Sequence, residues 1–261
     1  MAGPETLRIA AVADIHVKKT AQGALQPLFT QITEQADVLL LCGDLTDYGA
    51  VDEAKILAKD ITSALRIPAI GVLGNHDFES GHEKDVVDIL TDAGVVMLDG
   101  DSYEFRGVGF AGVKGFAGGF GRRALGAWGE KIIKDFVHET INEALKLEAA
   151  LARLRTPQKI GVLHYSPIQA TVNGEPPEII AFLGSSRLEE PLDRYRVNAV
   201  FHGHAHRGTA EGRTKGNAPV YNVAMPVLAT TYPDRPPFRV VEVPVETAVE
   251  SPVASNALAA H

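Results

Sequence analysis

Residues 38–47 read VLLLCGDLTD, an uninterrupted apolar run that ends at a glycine and is followed by two acidic side chains. A short continuous apolar run is typical of a strand that is covered on both faces. In an open α/β sheet, ligands bind beyond the carboxyl ends of such strands, where this run places its polar residues. The stretch therefore predicts a buried strand that delivers Asp44 and Asp47 to a functional site.

Four other apolar runs end in a similar way. Residues 7–13, 69–73, 160–163 and 199–201 predict strands, and each is closely followed by Asp, Asn or His. Because the carboxyl ends of the strands in an α/β sheet border one crevice, we expect these side chains to meet there. The candidates are Asp14, His16, Asp44, Asp47, Asn75, His76, Asp77, His164, His204 and His206.

The segments between the first strands favour helices. Leu57, Ile61 and Leu65 recur at helical spacing ahead of Pro68, between the second and third strands. Strand–helix–strand alternation of this kind predicts βαβ units around a mainly parallel sheet. Since no linker or repeat divides the chain, we expect one domain over residues 1–246 and a disordered tail over residues 247–261.

Two later segments are distinctive. Residues 115–129 are glycine-rich and predict either a flexible surface loop or a flap over the site, whose Arg122 and Arg123 reach a substrate phosphate. Residues 128–154 predict the longest helix, whose apolar stripe we expect to pack on a sheet, with an oligomer interface as the alternative. The stripe consists of Ile133, Val137, Ile141 and Leu145.

Composition limits the class of protein. The 261 residues are 45% hydrophobic with a net charge of −8, and no apolar run approaches the ~20 residues that span a bilayer. A protein that grips nucleic-acid phosphates usually has a basic face, so nucleic acid is not an expected partner. Cys42 is the single cysteine, which excludes an internal disulfide. Without a signal-peptide pattern at the N-terminus, we expect a cytoplasmic protein.

The residue types at the strand ends suit divalent metals. Imidazole together with carboxylate favours Zn, Fe, Mn or Ni over Ca or Mg alone. In the Asp-x-His and His-x-His pairs, an extended backbone would point both side chains the same way. Glycines at 43, 74 and 203 would permit tight turns and close backbone approach. Taken singly, each such residue is more often a solvated side chain or a helix cap, but the five-part combination rarely arises by chance.

The whole string is Asp-x-His, Gly-Asp-x-x-Asp, Gly-Asn-His-Asp, His and Gly-His-x-His, running from residue 14 to residue 206. It resembles the signature of the calcineurin-like metallophosphoesterases, and every part of that signature is present. The resemblance implies an α/β fold, a four-layer α/β/β/α sandwich in which two facing mixed β-sheets are flanked by helices.

The resemblance also implies roles. One metal would be held by Asp14, His16, Asp44 and His206, and a second by the bridging Asp44 with Asn75, His164 and His204. His76 would protonate the leaving oxygen or stabilise the transition state, and Asp47 would orient His76. Two divalent ions can clamp the attacking and leaving oxygens and make hydroxide available at neutral pH. The resemblance favours manganese or iron, with zinc as the alternative.

The expected activity is hydrolysis of a phosphodiester or phosphomonoester of a small molecule or nucleotide. Phosphodiesterase activity is favoured because the motifs look like those of bacterial cyclic-nucleotide phosphodiesterase relatives. A phosphomonoesterase acting on protein or small molecules is one alternative, and a non-catalytic scaffold on the same fold is another. Asn75, His76, Arg122, Arg123 and Arg207 are the candidate substrate contacts, and a homo-oligomer stays open.

Overall fold

The apolar runs of the N-terminal half form the middle of the first sheet in the computed structural model, which describes residues 5–245. Its four parallel strands lie in chain order, with the last strand of the chain antiparallel beside the first. They are β1 (Thr6–Val12), β2 (Val38–Cys42), β3 (Ala69–Val72), β4 (Val95–Met97) and β11 (Arg239–Pro244). The tail expected over residues 247–261 lies outside the described residues.

The second half of the chain forms a six-stranded sheet in the order β5-β6-β7-β8-β10-β9. Strands β6, β7, β8 and β10 run parallel, and an antiparallel strand closes each edge. The strands are β5 (Asp101–Phe105), β6 (Val108–Val113), β7 (Gln158–Leu163), β8 (Ala199–His202), β9 (Glu211–Arg213) and β10 (Pro219–Asn222). Strands β4 and β5 follow each other in the chain but belong to different sheets.

The two sheets stack face to face, and helices cover their outer faces. Alternate residues of the strands in both sheets, such as Leu40 and Phe110, share one buried cluster between the sheets. The other face of β2, with Leu39 and Leu41, packs against the first helical layer. Both faces of these strands are thus apolar, as their continuous runs require. The four-layer sandwich with two mixed sheets is confirmed.

The helices divide between the two outer layers. The first layer contains α1 (Gln26–Gln35), α2 (Val51–Ala64) and α3 (Glu83–Asp92). The second contains α4 (Lys131–Arg153) and α5 (Glu189–Arg194), and α6 (Met225–Thr231) follows β10. Among the described residues, no helix is long and apolar enough to cross a membrane.

The stripe predicted for α4 is wrong in its position. Val137 is buried, but Ile133 and Leu145 are exposed, and the buried face continues through Leu147 and Leu151 instead. A step of four residues advances ~40° beyond a full turn, so a stripe built from such steps winds away from the sheet. Spacings of three and four must alternate to stay on one face.

The glycine-rich segment was expected as either a flexible surface loop or a flap over the site, but most of its first half is buried. The amide of Gly115 donates to Glu143 Oε2 at 2.8 Å, and Thr140 Oγ1 donates to the carbonyl of Ala117 at 2.5 Å. Glu143 itself is 1% exposed in the middle of α4. Polar residues on the buried face of α4 therefore fix residues 115–117. The hydrophobic periodicity of the sequence does not predict such polar contacts.

We expect Leu147→Ala to lower the free energy of unfolding by about 2–5 kcal/mol, because it leaves a cavity between α4 and the second sheet. Leu145→Ala, on the same helix but 56% exposed, should stay within about 0.5 kcal/mol of wild type. Urea denaturation of both variants measures the difference. Equal losses would place the two leucines on equivalent faces and contradict the packing described.

Candidate metal centre

The carboxyl ends of strands from both sheets meet at one place. The first sheet contributes Asp14 and His16 after β1, Asp44 after β2 and Asn75 after β3, and the second contributes histidines after β7 and β8. Ligand-type atoms of Asp14, His16, Asp44 and His206 lie within 4.8 Å of one another, and so do those of Asp44, His164 and His204. The two groups share Asp44, in the arrangement expected from the sequence.

The backbone reaches this arrangement in an unexpected way. Asp14, His16, Asp44 and His204 have φ values of 56°, 43°, 50° and 70°, in the left-handed region. The expected extended backbone with alternating side chains is therefore wrong for the Asp-x-His and His-x-His pairs. Left-handed non-glycine residues each cost roughly 1–3 kcal/mol and tend to collect at functional sites. Tight turns, not strand alternation, aim these side chains inward.

Two glycines permit the close packing around the carboxylates. A Cβ atom on Gly74 would lie 2.2 Å from Asp44 Oδ1, and one on Gly203 would lie 2.3 Å from Asp14 Oδ2. Both distances are far shorter than any real contact, so only glycine fits without displacing the carboxylates. The expectation of close backbone approach at these two positions agrees with this geometry.

His164 directs one ring nitrogen to the centre. Its Nδ1 lies 3.0 Å from the carbonyl oxygen of Cys42, which can only accept, so in the neutral ring Nδ1 carries the proton and Nε2 carries a lone pair. Nε2 lies 3.0 Å from Asn75 Oδ1 and 3.3 Å from Asp44 Oδ1. In the neutral form of His164, three acceptor atoms therefore converge, and a cation would stabilise them.

His16 and His204 also suit metal binding. Both ring nitrogens of His16 are buried without a hydrogen-bond partner among the described residues, and burial lowers the pKa of this imidazole. Burial also lowers the pKa of His204 to about 3. Its Nε2 lies 3.2 Å from the carbonyl oxygen of Phe182, which leaves Nδ1 unprotonated. Neutral imidazoles with free lone pairs are the form that divalent metals bind.

Hydrogen bonds link Asp14 directly to other residues of the site. Asp14 and Asp44 are 4% and 1% exposed, although buried carboxylates without counter-charges are costly. The amide of His204 donates to Asp14 Oδ2 at 2.9 Å, and His206 Nε2 lies 2.9 Å from Asp14 Oδ1. That contact with Asp14 raises the pKa of His206. In the protein without metal, the proton of His206 thus offsets part of the carboxylate charge.

His76 lies beside the two groups, with its ring 4.6 Å from that of His16. Its amide donates to Asp44 Oδ1, and its Nδ1 donates to the backbone carbonyl of Asp47 at 2.8 Å. The expected contact between His76 and the Asp47 carboxylate is not made. That carboxylate lies 3.8 Å from His16 Nδ1 instead. Burial opposes the charged form of His76, but the Asp47 carbonyl and Asp44 raise its pKa above the ordinary value.

Asp77 fixes the two loops that carry Asp44 and Asn75. Its fully buried carboxylate accepts hydrogen bonds from the amides of Leu45, Thr46 and Gly74 and from the Thr46 hydroxyl, at 2.6–3.2 Å. The carboxylate does not belong to either metal-type group. Asp77 therefore holds the ends of β2 and β3 in register.

The candidate arginines have exposed side chains. Arg122 and Arg123 lie on a short turn, and their side chains take part in none of the hydrogen bonds or ion pairs within residues 5–245. Arg207 follows His206, and its backbone amide donates to Glu175 Oε1 at 2.6 Å.

Some groups that shape the site could not be identified from the sequence. The carbonyl oxygens of Cys42 and Phe182 set the tautomers of two imidazoles, and no residue type signals a carbonyl. Tyr165, by contrast, is expected from the sequence to line the pocket because it directly follows His164. Its ring lies 4.4 Å from that of His204 and packs against it.

Comparison with known proteins gives a consistent picture. A family model described as calcineurin-like phosphoesterase matches residues 7–208. No curated protein matches the sequence. Phosphopantetheinyl hydrolase (PptH) from Mycobacterium tuberculosis is a structural neighbour with a TM-score of 0.64 and 16% identity, over 89% of this chain and 95% of that one.

Two further solved structures share the fold at low identity. The protein TT1561 of Thermus thermophilus has a TM-score of 0.53 and 15% identity, over 93% of this chain and 100% of that one. A Staphylococcus aureus protein assigned as a 5′-nucleotidase, in complex with α-ketoglutarate, has a TM-score of 0.51 and 13% identity. This chain aligns over 84% of its own length and 48% of that protein's. At such identities, the three neighbours show the fold alone.

We expect Asp44→Ala to remove both metal sites, because its carboxylate belongs to both groups of ligand atoms. Elemental analysis of dialysed protein measures the loss. Asp88→Ala, at an exposed position of α3, is the control and should keep the wild-type metal content. Two bound metals in Asp44→Ala would show that Asp44 does not bridge them.

His202 provides a pH test. It is fully buried with Nδ1 on the Gly203 carbonyl and Nε2 on the Thr171 hydroxyl, and burial lowers its pKa to about 4. The unfolded chain binds this proton near pH 6.5, so the stability contribution is present above that pH and lost as pH falls towards 4. The loss amounts to about 3 kcal/mol for such a shift.

His202→Gln removes this titration, so its free energy of unfolding should fall less steeply than that of wild type between pH 6.5 and pH 4. Urea denaturation of metal-free protein at a series of pH values gives both slopes. Identical slopes would mean that His202 does not titrate with a lowered pKa.

Proposed function

The chain belongs to the calcineurin-like phosphoesterase family, and we propose that it is a metal-dependent hydrolase of a small-molecule phosphate ester, with phosphodiesters favoured. The observation that carries the proposal is the convergence of three ligand-type atoms, with His164 Nε2 lying 3.0 Å from Asn75 Oδ1 and 3.3 Å from Asp44 Oδ1. The orphaned nitrogens of His16 support it at the neighbouring position. Both features suit divalent cations.

We assign one ion to Asp14, His16, Asp44 and His206, and a second to Asp44, Asn75, His164 and His204. Two such ions, when bound, would neutralise phosphate charge and lower the pKa of a bound water. Manganese or iron is the proposed metal, with zinc as the alternative, because mixed imidazole and carboxylate sets accept all three. Elemental analysis of protein purified without added metal tests the choice.

His76 is the proposed proton donor to the leaving oxygen. Because its Nδ1 proton is committed to the Asp47 carbonyl, the protonated ring would give up the Nε2 proton. The carbonyl would hold the ring in place during the transfer. In this proposal, Asp47 acts on His76 through its backbone, and its carboxylate serves to position His16.

The substrate is proposed as an organic phosphate, and a nucleotide is a candidate. Support comes from the neighbours, one called a phosphopantetheinyl hydrolase and another assigned as a 5′-nucleotidase. Arg122, Arg123 and Arg207 stay proposed contacts for the phosphate, although they lie at the surface. Single alanine substitutions that raise KM without lowering kcat would support such contacts.

Hydrolysis of bis-p-nitrophenyl phosphate and of p-nitrophenyl phosphate by metal-loaded protein tests the reaction class. A higher kcat/KM for the diester would support a phosphodiesterase, and the reverse would favour a phosphomonoesterase. Absence of activity on both esters with two metals bound would contradict the proposed hydrolysis and favour a binding scaffold.

We expect His76→Ala to keep both metals but to lose roughly 10²–10⁴-fold in kcat on an alkyl phosphate ester, the range typical for a general acid. Nitrophenol esters need less protonation of the leaving group, so the loss on them should be smaller. Asp47→Asn retains the backbone carbonyl and should lose less than His76→Ala on the alkyl ester. Equal losses of His76→Ala on both classes of ester would exclude proton donation.

A further inference from the structure

A cavity of about 450 Å³ opens at the loop that follows β3. Its apolar wall consists of Leu73, Phe78, Val87, Met97 and Leu98. Two of these residues flank Asn75 and His76 in the chain. Leu73 directly precedes Gly74 and Asn75, and Phe78 ends the short turn that His76 begins. The cavity is therefore lined by both ends of the loop that carries Asn75 and His76.

Lys114 lines this cavity in an unusual environment. Its Nζ lies 5.4 Å from the centre of the Phe78 ring, 4.9 Å from that of Phe116 and 5.3 Å from that of Tyr165. Nζ donates to the carbonyl of Gly115 at 2.9 Å. Within residues 5–245, no carboxylate oxygen lies within 4.0 Å of it, whereas Lys146 and Lys215 are each paired.

The Lys114 ammonium has N–H donors that it can offer to a ligand. An ammonium carries three N–H groups, and here one hydrogen bond and three ring faces account for its partners. A largely buried cation with no carboxylate in direct contact is costly, which makes a bound acceptor favourable. The backbone also fixes the position of the residue, because its carbonyl accepts from the amides of His164 and Tyr165.

The rim of the cavity limits the kind of ligand. Glu83, Lys84, Asp99 and Asp101 also line the cavity, and Asp101 lies 3.8 Å from Arg153. Asp99 is held by Lys146, whereas the Glu83 side chain has no hydrogen bond or ion pair within residues 5–245 and could accept from a hydroxyl. A plain alkyl chain would fill the apolar wall but would leave the Lys114 ammonium without an acceptor.

A nucleoside combines an apolar flat surface with hydrogen-bond acceptors and hydroxyl donors, which this cavity can accommodate. Its flat base can pack on the exposed Phe78 ring and present an acceptor atom to Lys114, and its sugar hydroxyls can bond to a carboxylate such as Glu83. The cavity volume lies within the usual range of roughly 300–1,000 Å³ for small-molecule sites.

We propose that this cavity binds the nucleoside part of a nucleotide substrate, with Lys114 donating to the base. The proposal rests on the proposed phosphoesterase function, since it places the nucleoside on the leaving-group side, next to His76. Lys114 would then determine specificity without touching the reacting phosphate.

Binding of free nucleosides tests the site without requiring catalysis. Adenosine, guanosine, cytidine and uridine are titrated into the metal-loaded full chain and followed by ligand-observed NMR, with ribose as the comparison ligand. At least one nucleoside should bind more tightly than ribose. Lys114→Met should raise its Kd by roughly 10- to 100-fold, the usual effect of one hydrogen bond to a charged group.

Two more variants test whether the nucleoside binds in this cavity. Val87→Trp fills the cavity from α3 without replacing Lys114 and should also abolish binding. Lys134→Met, which removes an exposed lysine of α4 outside the cavity, should leave the Kd unchanged. Nucleosides that bind no better than ribose, or a Kd unaffected by both Lys114→Met and Val87→Trp, would overturn the proposal.

The outcomes separate this proposal from the proposed function. Hydrolysis of p-nitrophenyl esters without nucleoside binding would overturn the cavity assignment while the phosphoesterase stands. Nucleoside binding that depends on Lys114, in a protein that hydrolyses no ester, would support the cavity and overturn the phosphoesterase.

Discussion

The mutual repulsion and desolvation of two buried carboxylates, Asp14 and Asp44, is the constraint on which the site depends. Each is almost inaccessible to water, and the two share a small volume with four imidazoles. Burying such charges costs several kcal/mol per ion unless hydrogen bonds and counter-charges offset the cost. Amides of His204 and His76 offset part of it. Ring nitrogens of His16, His164 and His204 lie close to the same carboxylates, an arrangement that a bound cation would stabilise.

The scaffold supplies the rigidity that this arrangement needs. A continuous apolar layer joins the two sheets, so that strand ends from both converge without a bridging loop. Four residues of the site have left-handed backbones, and such strain persists only where the surroundings determine it fully. Asp77 provides some of that determination, since it accepts four hydrogen bonds from the loops after β2 and β3. Glu143 has a comparable role beneath the glycine-rich segment.

The sequence was sufficient for the features that repeat along the chain. Five apolar runs with polar ends predicted the central strands and the convergence of their ligands, because burial on both faces leaves a continuous pattern. Features that depend on a single tertiary contact could not be predicted from the sequence. The Asp47 carbonyl replaced the expected carboxylate at His76, and Lys114 contacts two rings, Phe78 and Tyr165, from distant segments. The prediction of the apolar stripe on α4 was wrong because successive steps of four residues leave the buried face of a helix.

The division of the ligands between the sheets has a consequence for the maturation of the protein. Asp14, His16, Asp44 and Asn75 come from one sheet, and His164, His204 and His206 from the other, more than 80 residues later in the chain. A ribosome therefore releases half of the centre well before the other half exists. Neither half alone offers a full ligand set, so a nascent chain cannot trap an ion in a finished site. On the proposed ligand assignment, metal capture would be a late step, and the ion retained would reflect the metals present around the completed fold.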